Sequence, residues 1–174
     1  MSPRQGYDHV QQGRLHWLVY GGAAVCLWAG IVILDGAAPG ERTAGFWLYF
    51  VLAGLLGVLG MSFQYMRVRD RGEVMEINFG PLPLLRRQVR YDEIVSVKRG
   101  RTAWIDGWGI HLVPGRGWTW NVWGRDCAEL QVNGSRLRVG TNDPDGLVAM
   151  IEERLADRAD GPGSPGQVVA VSSK

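Results

Sequence analysis

Lysine is almost missing from this chain: of its 19 basic residues, all but Lys98 and Lys174 are arginine. Together with 25 glycines, that bias fits a GC-rich bacterial genome. Charge of either sign is nearly balanced at +2, so nothing in it suggests a nucleic-acid polyanion as the main partner. Cysteine is scarce too. Cys26 lies inside an apolar run and Cys127 in a polar region about a hundred residues on, so a disulfide between them is not expected. No CxxC or Cys/His cluster exists in the sequence, which argues against a structural zinc site. Catalytic signatures are also absent. His111 and Asp106 are close in sequence, but no serine or cysteine sits in a nucleophile context such as GxSxG. The glycines of Gly107-Trp-Gly and Gly115-Arg-Gly lack phosphate-loop spacing and read as turns. The expectation is a chain without catalytic residues, cofactor or metal.

What is present is apolar residue in two long runs. Leu15 to Leu34 holds twenty residues in which His16, at the edge, is the one strongly polar side chain. Phe46 to Met66 is one residue longer, with Gln64 near its end. About twenty apolar residues at 1.5 Å rise cross a hydrocarbon core of roughly 30 Å, so two transmembrane helices are expected, 15–34 and 46–66. Trp17, Tyr20, Trp47, Tyr49 and Tyr65 fall near their ends, where amphipathic rings prefer the interface. A cleaved signal peptide would have a shorter apolar core and would not be followed at once by a second span.

Arginine sets the direction. Arg4 and Arg14 precede the first run and Arg67, Arg69 and Arg71 follow the second, whereas the connecting loop 35–45 carries Arg42 alone beside Asp35 and Glu41. By the positive-inside rule, the N-terminal segment 1–14 and everything after the second span face the cytoplasm, in a multi-pass protein of the inner membrane. Gly54, Gly57 and Gly60 in the second run, like Gly21, Gly22 and Gly30 in the first, let helix backbones approach closely. They serve either packing of the two helices on each other or a groove for a second copy or a partner's helix. No charge lies mid-span, which argues against ion conduction.

From Glu73 onward, short alternating runs separated by turn residues predict about seven antiparallel strands: 73–79, 86–91, 94–99, 109–113, 118–122, 127–132 and 136–139. Asn133-Gly134 is a strong hairpin signal between the last two. Asp143 as N-cap and Pro144 at the first helical position open one amphipathic helix, with Leu147, Val148, Ile151 and Leu155 on its apolar stripe. The Gly-, Pro- and Ser-rich residues 158–174 read as a disordered tail.

That order resembles the pleckstrin-homology superfold, specifically the PH-like domains of small bacterial membrane proteins. The resemblance rests on Val68–Phe79 followed by a proline turn, Asp92–Ile94, Gly107–His111, Trp120–Val122 and Val139–Pro144. It implies a PH-like domain over 68–157: a barrel of about seven antiparallel strands plugged by the C-terminal helix, without an implied ligand, since fold does not supply function.

Candidate contacts follow. In phosphoinositide-binding PH domains, basic residues around the first turn hold the headgroup. Arg86, Arg87 and Arg90 follow the corresponding turn here, but Gly80–Leu85 itself is apolar. Those arginines are either headgroup ligands or solvated charge. Leu82, Leu84 and Leu85 either dip into the headgroup region or cover the domain's own core. Trp104, Trp108, Trp118, Trp120 and Trp123 crowd one stretch. Trp118 and Trp120 share a strand face and are expected to fill the barrel, whereas Trp123 points the other way, toward an unknown protein partner or the membrane. The function read from the sequence is a non-enzymatic, membrane-tethered interaction module presenting its domain to a protein at the cytoplasmic face. The alternatives are an anionic-lipid-contacting module or a homo-oligomerising scaffold.

Overall fold

The computed structural model describes residues 6–36, 39–82, 84–102, 109–115 and 117–159. Its elements run β1 (Asp8–Gln12), α1 (Leu15–Gly36), α2 (Pro39–Ser62), β2 (Tyr65–Asp70), β3 (Val74–Phe79), β4 (Leu85–Arg90), β5 (Ile94–Arg101), β6 (Gly109–Val113), β7 (Gly117–Asn121), β8 (Asp126–Val132), β9 (Ser135–Gly140) and α3 (Pro144–Ala159). Of the expected C-terminal tail, the first two residues continue α3, and 160–174 lie outside the described residues, as do Trp104 and Trp108.

Both long apolar runs are helices, long and apolar enough to cross a membrane. They pack on each other but bury little else, so Leu18 (72% exposed), Trp28 (68%), Leu48 (67%) and Leu55 (64%) point outward. The second helix starts earlier and ends sooner than the hydropathy predicts, at Pro39 and Ser62 rather than 46 and 66. Tyr65 and Met66 already belong to β2, an apolar continuation that a hydropathy window does not separate from a helix end.

In place of the expected single seven-strand antiparallel barrel, the described residues form nine strands in two sheets, ordered β1-β2-β3-β4 and β5-β8-β9-β7-β6. One pairing is parallel, Trp118–Trp120 of β7 against Leu137–Val139 of β9. Part of the N-terminal segment belongs to the β-domain. Its residues Asp8–Gln12 pair with Arg69–Tyr65 as the edge of the first sheet, and the amide of Gly13 donates to the Gln64 carbonyl at 2.8 Å. The β-domain is therefore assembled from chain on both sides of the helix pair, and both helices leave it from the same end.

A single core fills the space between the sheets and α3. Alternation places Met66 and Val68 of β2 and Met75, Ile77 and Phe79 of β3 inward, against Leu130, Leu137, Val139, Leu147 and Ile151. The β8–β9 turn uses left-handed backbone at Asn133 (φ 45°) and Gly134 (φ 79°), as a two-residue hairpin requires. Helix α3 begins where its cap predicts, with the Gly146 amide donating to Asp143 Oδ1 at 3.1 Å.

Strand β1 ties the two sheets together through side chains. Gln11 Nε2 donates to the Trp123 carbonyl at 2.6 Å, His9 Nε2 meets Asn142 Oδ1 at 2.5 Å, and the Tyr7 hydroxyl donates to Asp143 at 3.2 Å. Beside Tyr7, whose carbonyl accepts from the Asp70 amide at 2.7 Å, the Asp70 side chain is a buried clamp. It accepts from the Gly72 amide (2.8 Å), the Tyr91 hydroxyl (3.0 Å) and Arg154 Nε (3.0 Å). Burial alone would push its carboxyl up; the donors from Arg154, Gly72 and Tyr91 outweigh that and hold it below the usual range.

Candidate functional site

Besides the Gly13–Gln64 hydrogen bond, a close backbone contact helps to fix the end of the domain from which the helices depart. Gly80, in the turn between β3 and β4, has φ +64° and donates its amide to the Tyr65 carbonyl at 2.8 Å. A Cβ built on it would meet the Met61 carbonyl and lie 2.6 Å from Ser62 Cα. Glycine is required here twice over, for the left-handed backbone and for room against the last turn of α2. The turn Gly80–Leu85 is thereby seated on the end of α2.

Of its leucines, Leu85 is half-buried and packs on the core, whereas Leu84 (63% exposed) and Leu82 project outward. Trp123 lies at the same end. Its ring is half-buried against the core, and the Arg14 guanidinium, one residue ahead of α1, stands 6.0 Å from the ring centroid. Phe63, between α2 and β2, stacks edge-on with Phe79, which in turn stacks with Trp120. Trp118, expected beside Trp120 in the core, is 41% exposed and pairs across strands with exposed Leu112.

The three arginines of β4 do not form one patch. Arg86 and Arg90 lie on the outer face of the sheet, where Arg86 Nη2 pairs with Glu76 at 2.7 Å and Arg90 Nη2 with Asp92 at 2.7 Å. Arg87 alternates inward, 5.9 Å from the centroid of Trp120, with no carboxylate at ion-pair distance among the described residues. Its burial lowers the guanidinium pKa from its ordinary value.

A richer arginine grouping lies on that outer face and was hidden in the sequence. Arg67 and Arg69 read there as charges flanking a span, but β2 alternates, Met66 and Val68 inward, Arg67 and Arg69 outward. With Arg71 and Arg86 they line a concavity of about 350 Å³ that begins at Gly80 and Pro81. Asp8 of β1 accepts from Arg67 Nε (2.6 Å) and Nη2 (2.5 Å) and from Arg69 (3.2 Å). The Arg67 hydrogen bond holds the Asp8 carboxyl below its usual range against its slight desolvation. Glu76, almost fully buried, pairs with Arg86 at 2.7 Å and Arg71 at 3.6 Å. Burial pushes its carboxyl up, but hydrogen bonding from Asn78 and the charges of Arg86 and Arg71 bring it below the usual range.

In the helix pair, Gly60 is the glycine of the expected trio that faces α1, its missing Cβ 2.7 Å from Tyr20 Cδ1. A Cβ at Gly54 or Gly57 meets nothing within 4 Å, so both lie on the outward side. Gly22 and Gly30 of α1 pack on Leu56 and Tyr49 of α2. Among the described residues no group of three or more His, Cys, Asp and Glu side chains is disposed to hold a metal ion. No protein-family model and no curated protein matches the chain.

Proposed function

We propose that this chain is a non-enzymatic integral membrane protein whose two helices seat a β-domain against the anionic cytoplasmic leaflet, the domain being PH-like in design. The observation that carries the reading is the contact of Gly80 with Met61 and Ser62, which sets the exposed Leu82 and Leu84 beside the end of α2. An apolar turn at that level enters the headgroup boundary, and nearby arginines add about 1 kcal/mol each against an anionic leaflet. Two long helices with apolar residues outward on nearly every side support lipid as their solvent. The β1–β2 pairing returns both helices to one side, and Arg14, Arg67 and Arg69 on that side support a cytoplasmic placement by the positive-inside rule. The PH-like reading is supported by two sheets around one core with a C-terminal helix; the parallel β7–β9 pair and the strand ahead of the helices depart from it.

The test is a photoreactive benzoylphenylalanine at Leu84 in native membranes. Capture of lipid is the expected product; capture of a discrete protein alone would favour the other reading, in which the domain docks a protein. That second reading has its own observation, the exposed Leu112–Trp118 pair on the outermost hairpin of the five-stranded sheet. The same reactive group at Trp118 tests it, and a homo-oligomer would appear as a crosslinked dimer.

A further inference from the structure

We propose that the arginine-lined concavity on the outer face of the four-stranded sheet binds a phosphate group at the membrane surface. The inference deepens the lipid-leaflet reading by assigning it a ligand chemistry and a site, and part of its test is independent of that reading.

Charge is the first argument. Arg67, Arg69, Arg71 and Arg86 share two carboxylates, Asp8 and Glu76, so the concavity keeps a surplus of two positive charges. A solvated face spreads its charge; here four guanidiniums converge on one depression. Each guanidinium carries five donors, of which its carboxylate engages one or two, leaving forked N–H groups for a second acceptor. Arg86 and Arg71 each have nearly half their side chain in water (47% and 48%), so those donors are accessible. The carboxylates act as positioners. Asp8 and Glu76 hold the guanidinium planes in place, which lowers the ordering cost of capturing an anion.

Height is the second argument. Arg67 lies two residues into β2, and Arg86 stands in the same cross-strand row through Asn78. At about 3.3 Å per residue the row is no more than roughly 7 Å beyond the start of the strand. A bilayer's polar zone adds about 5–8 Å to each side of its hydrocarbon core. With the hydrocarbon edge set at the end of the apolar run near Tyr65, the Arg67–Arg86 row reaches lipid phosphates, while Arg69 and Arg71 extend the site toward solvent. Size is the third. A concavity of about 350 Å³ matches a phosphorylated headgroup and is small for a folded partner's segment.

The phosphate has two sources, a lipid or a soluble phosphate ester, and the experiment separates them. The full chain is placed in phosphatidylcholine nanodiscs. One arm titrates radiolabelled glycerol 3-phosphate by equilibrium dialysis; the other incorporates phosphatidic acid and counts bound lipid by native mass spectrometry. Saturable binding of one equivalent is expected in at least one arm, and that arm names the source. Arg67→Gln with Arg86→Gln is expected to weaken it about tenfold or more, the size of losing charge-assisted hydrogen bonds. Arg90→Gln, paired outside the concavity, should leave it unchanged. Should the double Gln variant fail to fold, Arg67→Lys with Arg86→Lys keeps both charges but loses the fork, and severalfold weakening is expected. The proposal is overturned by no saturable binding in either arm, by variants that bind as the parent does, or by an equal loss in Arg90→Gln. Lipid capture at Leu84 persisting alongside such a result would leave the leaflet reading standing and remove only the site.

Discussion

Replacing Gly80 with alanine separates the seating of the β3–β4 turn on α2 from ordinary turn energetics. Two costs add at this position. The left-handed backbone, φ +64°, disfavours an L side chain by roughly 1–2 kcal/mol. The new Cβ also meets backbone that cannot swing aside, the Met61 carbonyl and Ser62 Cα at 2.6 Å. Overpacking of that kind costs typically about 1–3 kcal/mol, so Gly80→Ala should destabilise the domain by about 3 kcal/mol in all. Gly72→Ala is an internal control, because Gly72 has φ +86° but a Cβ there meets nothing within 4 Å. It should lose only the backbone part, about 1 kcal/mol. Chemical denaturation of the full chain in micelles, followed by tryptophan fluorescence, measures both. A difference of about 2 kcal/mol between the variants is the contribution of the contact with α2. If Gly80→Ala is no worse than Gly72→Ala, the turn is not seated on the helix end and the leaflet placement of Leu82 and Leu84 loses its basis.

Asp70→Asn should cost about 3 kcal/mol, the low end for breaking a buried pair, since Arg154 keeps 26% of its side chain in water. Because the Asp70 carboxyl is held below its unfolded value, its stabilisation is complete above about pH 5 and falls as pH drops through the folded value. An acid-denaturation curve of Asp70→Asn should therefore be flatter than the parent's over that range; parallel curves would contradict the clamp. Gly60→Val should loosen the helix pair by driving a side chain into Tyr20, whereas Gly57→Ile should leave its packing intact. Disulfide trapping between α1 and α2 reads that difference. A Gly57→Ile chain that changes oligomeric state in detergent would identify the outward glycine face as a contact between copies.

The parts legible in the sequence are those whose signal is local. Twenty-residue apolar runs have one physical reading, Asn133-Gly134 dictates its turn, and the Asp143–Pro144 pair starts a helix whatever surrounds it. Strand β1 was not legible, because DHVQQ has a single apolar residue and becomes a strand only when Tyr65–Asp70 lies alongside it. The arginine face was missed for a related reason: Arg67, Arg69 and Arg71 carry a topology signal and a strand alternation at once, and the first masks the second. Trp118 and Trp120 illustrate a third limit. Periodicity assigns both to one face, yet only Trp120 meets the Phe79 ring from the other sheet. Alternation tells which way a side chain points and not where the opposing layer ends.

The most direct test of the account is the depth of the β3–β4 turn in a bilayer. A nitroxide at Leu84, in a Cys26→Ser background with the fully buried Cys127 left in place, is reconstituted into vesicles containing anionic lipid. Collision with oxygen is compared with collision with a water-soluble nickel chelate. The account predicts strong oxygen and weak nickel relaxation at Leu84, and the reverse for a label at exposed Val95 in the other sheet. Equal nickel access at both positions would contradict it.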